Sequence, residues 1–125
     1  MAEEETTGGA DAGKPGGLTV TTATADGVRV LTAVGEIDHH TGGLLREALD
    51  APYAPRARIV VDLGGVTFID STALNIFIAA HRDLDDAGGR LRLAAASDSV
   101  MRTLAIVGVD TLIDCRATLA HALGD

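Results

Sequence analysis

The stretch Arg58-Ile59-Val60-Val61-Asp62-Leu63 constrains the fold most. A strand with one wet face alternates apolar and polar residues. A continuous β-branched run instead suits a strand buried on both faces, as in parallel sheets flanked by helices. The flanking patterns agree. Leu18, Val20, Thr22 and Thr24 alternate with Thr19, Thr21 and Ala23, and Asp26-Gly27 supplies a hairpin turn. Val28, Val30, Thr32 and Val34 then share one face of a second strand. It runs antiparallel to the first, because so short a connection allows nothing else.

Past Gly35-Glu36-Ile37-Asp38 the period becomes helical. Leu44, Leu45, Ala48 and Leu49 form a stripe that Pro52 and Pro55 bring to an end. After the RIVVDL strand a short loop leads to a second helix. It starts near Asp70 and ends at Gly88-Gly89, with Leu74, Phe77, Ile78, His81 and Leu84 inward. Arg90 to Ala96 reads as a strand with Leu91, Leu93 and Ala95 on one face. Ser97 or Asp98 caps a third helix holding Val100, Leu104 and Val107, which stops at Gly108. Thr111 to Cys115 reads as a short last strand, and Ala117 to Leu123 as a terminal helix. The order β-β-α-β-α-β-α-β-α predicts one α/β domain over residues 18–125. Its sheet is mostly parallel with an antiparallel N-terminal edge hairpin, and about four helices cover it.

Residues 1–17 differ in character. They hold six Gly or Pro and almost nothing apolar, too little to offset the entropy of ordering, and read as a flexible tail. Elsewhere the apolar share of 46% suffices for a core. That core is built of small pieces, since Phe68, Phe77 and Tyr53 are the only aromatics.

A formal net charge of −8 disfavours nucleic acid and anionic membranes as direct partners and favours a basic protein surface. The single Cys115 excludes an internal disulfide and suits a reducing compartment. The acidic start lacks the positive charge of a signal peptide, and no apolar run reaches the ~20 residues of a membrane span. A cytoplasmic protein is expected.

The stretch with most chemical content is Val61 to Leu74. Asp70 stands at a helix N-cap, where its carboxylate accepts from the backbone N–H of Thr72 or Ala73. Ser71 takes the first helical position, at the positive end of the helix dipole. A phosphate there suits the helix, yet places up to about two negative charges beside Asp70 on the presented surface. Read locally, Asp-Ser-Thr is also an ordinary capping sequence.

The segment Ile69-Asp70-Ser71-Thr72-Ala73-Leu74 resembles the phosphorylation motif of STAS domains, the sulfate transporter and anti-sigma factor antagonist family. Gly35-Glu36-Ile37-Asp38-His39-His40-Thr41 resembles the element after that family's second strand, in the form typical of bacterial antagonists. The spacing of the two and the strand order match as well, from about Leu18 to Leu123. The resemblance implies an anti-sigma factor antagonist acting by partner switching in the control of transcription, in a stress response or sporulation. Its dephosphorylated form would bind a serine-kinase anti-sigma factor and so release the sigma factor. Phosphorylation of Ser71, with Thr72 as the secondary acceptor, would weaken that complex, and a PPM-type serine phosphatase would reverse it. Asp38, His39, Asp70 and Thr72 are the implied partner contacts, with Asp38 placed to position the kinase or its nucleotide; Leu74 and Ile76, read as exposed apolar side chains near the helix start, are expected to add to them. Ala73 replaces the family's usual Gly, and its methyl is expected to crowd close approach by a kinase.

Other chemistries fit poorly. Adjacent residues such as His39-His40 point in different directions, and Cys115 and His121 lack ligand spacing with them, so no metal is expected. His81 lies ten residues beyond Ser71 on the same helix, about 15 Å away, too far to act as its base. The five Gly-Gly pairs carry no phosphate-loop pattern, and Lys14 is the only lysine. Arg82, Arg90, Arg92 and Arg102 read as solvated surface. No cofactor and no catalytic activity are expected. The alternative is a STAS scaffold, or an accessory subunit of a larger complex such as a lipid transporter, without turnover at Ser71.

Overall fold

The computed structural model describes residues 17–124. The tail expected over residues 1–17 lies outside them except at Gly17, which is buried and accepts a hydrogen bond from the Glu36 N–H at 2.9 Å.

The chain runs β1 (Leu18–Ala25), β2 (Val28–Ile37), α1 (Gly42–Asp50), β3 (Arg58–Ile69), α2 (Ser71–Asp86) and β4 (Arg90–Ala94). It ends with α3 (Asp98–Ile106), α4 (Val109–Leu112), β5 (Asp114–Arg116) and α5 (Leu119–Leu123). The sheet order is β1-β2-β3-β4-β5; β1 is antiparallel to β2 and every other pair is parallel. Asp26 and Gly27 both take positive φ in the hairpin, the geometry a tight two-residue turn needs.

The main core lies between one sheet face and helices α1 to α4. Phe77, fully buried on α2, is its aromatic anchor among smaller residues, with Tyr53, partly buried, packed against the same core. On the other face α5 covers a smaller cluster of Val28, Val30, Val60, Ala94 and Ala122. This explains the RIVVDL run: Ile59, Val61 and Leu63 enter the main core while Val60 sits under α5. Beyond α5 that face is open, leaving Val34 46% and Phe68 48% exposed.

Several boundaries differ from the sequence reading. β3 does not end at Leu63 but runs on to Ile69, where a loop was expected. Its extra length is absorbed by irregularities against β2. Thr32 pairs with Asp62 and Glu36 with Phe68, so β3 spends two more residues than its neighbour over that interval. Gly65 serves this approach, since a Cβ there would stand 2.9 Å from Val34 Cγ2. Thr111 and Leu112 belong to α4 and not to the last strand, which comprises Asp114–Arg116 alone. Gly108, in the left-handed region, ends α3, and the Ile113 N–H donates to Val109 O to close a further turn. That turn makes five helices among the described residues. Val107 is 55% exposed, outside the core expected of it. The terminal helix starts later than read, at Leu119, with Thr118 Oγ1 accepting from the His121 N–H as its cap.

Arg92 is not solvated surface: it is 4% exposed. Its guanidinium donates to Asp114 Oδ2, Ala122 O and Gly124 O, each at 2.9 Å, and so joins β4 to β5 and to the end of α5. No helix among the described residues is long and apolar enough to cross a membrane.

Candidate functional site

The two sequence motifs meet at the C-terminal end of the parallel strands. β2 stops at Ile37 and β3 at Ile69, which are register partners. The Asp70 N–H donates to Ile37 O at 3.2 Å, joining the start of α2 to the end of β2. Asp70 caps α2 through Oδ1, which accepts from the Thr72 N–H at 2.8 Å and the Ala73 N–H at 3.4 Å. Ser71 is then the first helical residue and is exposed. Asp70 already occupies the Thr72 and Ala73 N–H groups, so it is the dipole of this 16-residue helix that favours negative charge there.

Asp38 is engaged by its own loop. Its Oδ1 accepts from the backbone N–H of His40 at 2.9 Å and of Thr41 at 3.1 Å. Thr41 Oγ1 accepts from the Asp38 N–H at 3.0 Å and donates to Glu36 O at 2.8 Å. The loop into α1 is thus folded by its own side chains. Burial pushes the Asp38 carboxyl up, but the hydrogen bonds from His40 and Thr41 outweigh it and hold the group below the usual aspartate value. An Asp three residues before a Thr, both able to bond nearby backbone, was the signal in the sequence for this clasp.

Helices α1 and α2 touch at Gly42, where a Cβ would lie 2.9 Å from Thr72 Cγ2 and 3.0 Å from Ile76 Cδ1. Thr72 is half-buried and turns its methyl toward α1. Leu74 and Ile76 are corrected by the structure. At 8% and 4% exposure both belong to the core and present no surface to a partner. Helical periodicity explains this, since Ala73, Leu74, Ile76, Phe77, Ala80 and Leu84 line one stripe. Ala73 is fully buried, so its methyl points inward and does not crowd the surface around Ser71.

His39 and His40 are exposed on the clasped loop, their ring centroids 3.9 Å apart. No three His, Cys, Asp or Glu side chains gather in a way that would hold a metal among the described residues. The site brings together an exposed hydroxyl, the Asp70 cap and the Asp38 loop.

The model of the STAS domain matches residues 19–122. The chain belongs to the STAS domain family. It is 34% identical over 84 residues to the anti-sigma-B factor antagonist of Listeria monocytogenes, covering 66% of this chain and 73% of that one. It is 32% identical over 110 residues to the anti-sigma-F factor antagonist RsfB of Mycobacterium tuberculosis, covering 87% and 89%. An anti-sigma factor antagonist from Mycobacterium paratuberculosis superimposes with a TM-score of 0.76 at 30% identity, over 88% of this chain and 94% of that structure. This STAS domain carries both motifs at one end of its sheet.

Proposed function

We propose that this STAS domain is an anti-sigma factor antagonist whose affinity for its partner is set by phosphorylation of Ser71. The partner is a serine-kinase anti-sigma factor, and capture of it frees a sigma factor. A PPM-type phosphatase restores the binding form. The protein acts in the cytoplasm by binding and carries out no reaction of its own.

The observation that carries the reading is the exposed Ser71 at the first position of α2. Behind it the Asp70 cap and its bond to Ile37 fix the backbone. A phosphate there is accommodated by the helix start, so the fold survives modification. The surface nonetheless gains up to about two charges next to Asp70 and the Asp38 loop. Asp38, His39 and Asp70 shape the contact surface, with Thr72 at its margin; Asp38 contributes by holding its loop.

The test is incubation with ATP and kinase anti-sigma factors of the source organism, followed by intact-mass measurement, site mapping and a binding assay. One added phosphate on Ser71, absent in Ser71→Ala, together with weakened capture by Ser71→Asp, is the expected result. Stable binding that ignores both changes would replace the switch with a constitutive scaffold.

A further inference from the structure

The opposite pole of the molecule carries an unusual concentration of positive charge. Arg56, Arg58 and Arg90 line a shallow, open hollow of about 380 Å³ completed by Gly88 and Gly89, with no carboxylate in its wall. Among the described residues none of these three guanidinium groups has an ion-pair partner. In a chain of net charge −8, three uncompensated arginines facing one space stand out.

The backbone holds them there. The Arg56 N–H donates to Ala87 O and the Arg90 N–H to Ala57 O, both at 2.9 Å, so the loop before β3 is laced to the turn before β4. Gly89 permits this, because a Cβ would collide with Ala57 O, and Gly88 takes φ +77 beside Arg56 Cγ. Arg56 itself sits in the left-handed region at φ 63. Arg58 and Arg90 are register partners on neighbouring strands, and Arg58 is steadied by a bond from Nη2 to Asp26 O at 3.3 Å.

We infer that this arginine cradle is a docking point for a short carboxylate-rich segment of a partner protein. Guanidinium forks match carboxylates two bonds at a time, and three of them suit several carboxylates in sequence. A long polyanion or an anionic bilayer would also meet the acidic remainder of the chain. A short peptide feels chiefly the local field, since screening cuts in within ~8 Å at physiological salt. Ser71 lies at the far end of β3, on the order of 30 Å away. Docking at the cradle therefore persists whatever the state of Ser71 and stands apart from the switch.

The experiment is fluorescence anisotropy of labelled hexaglutamate with the full chain. Saturable binding that weakens with salt is expected. Arg56→Glu, Arg58→Glu and Arg90→Glu should each cost roughly tenfold in affinity, and Arg56→Gln should follow in the same direction. Arg102→Glu, outside the cradle, should change affinity less than twofold. An equal loss in Arg102→Glu would overturn the proposal. So would displacement by inorganic phosphate at the same concentration as hexaglutamate, or cradle-dependent binding to phosphatidylserine vesicles in place of peptide. A tenfold gain when Glu3, Glu4 and Glu5 are all changed to Gln would also overturn it, by making the chain's own N-terminus the occupant.

Discussion

Asp70 is the residue on which the geometry around Ser71 depends. Its carboxylate holds the first turn of α2 and its N–H holds the end of β2. Asp70→Ala removes only the first of these and should cost about 1 kcal/mol in urea unfolding, with a small change at Ser71 in hydrogen exchange. Ala73→Gly restores the residue usual in the family but removes a buried methyl from the helix. A loss of about 1 kcal/mol is expected, read from the same unfolding curves. Cys115 is held inert: burial raises its thiol to about 11, helped by the charges of Asp110 and Asp114. At pH 8 its alkylation by iodoacetamide should be many-fold slower than that of an unfolded control, followed by mass.

At the scale of elements, the contact between α1 and α2 is the sensitive one. Gly42→Ala drives a methyl onto Thr72 and Ile76, and those atoms must shift by several tenths of an ångström. A cost of about 1–3 kcal/mol is expected, together with altered partner affinity because the start of α2 is displaced. Unchanged partner affinity in a folded Gly42→Ala would show that the α1–α2 contact does not shape the binding surface. The elements also show what was legible beforehand. The hairpin, the buried β3 run and the Asp70 and Ser97 caps rest on local chemistry, and the sequence displays it directly. The continuation of β3 through Gly64-Gly65 was hidden, because glycines spell a loop until a neighbouring strand needs their bareness. The α4 turn was hidden too, being only four residues long. Leu74 was misjudged because proximity to Ser71 in the chain says nothing about which side of the helix a residue occupies. The burial of Arg92 depends on Asp114 and on the end of α5, both more than twenty residues away.

For the molecule as a whole, acid stability follows from two depressed carboxyls. The hydrogen bond from Arg116 is the main cause at Asp114, opposed by burial and aided by the charges of Arg116 and Arg92; Asp38 is held low by its loop. A lowered folded value means stability that is present above the unfolded value, near 3.9, and lost as pH falls through the folded one. Urea midpoints should therefore be flat from pH 7 to about 5 and drop below about 4, with a shallower drop in Asp38→Asn and Asp114→Asn. The sheet order has a further consequence, for how the chain acquires its shape. Each strand lies beside its predecessor in the chain, so none must be threaded between two already in place. A nascent chain can form the β1–β2 hairpin first and lengthen the sheet one strand at a time as later segments leave the ribosome.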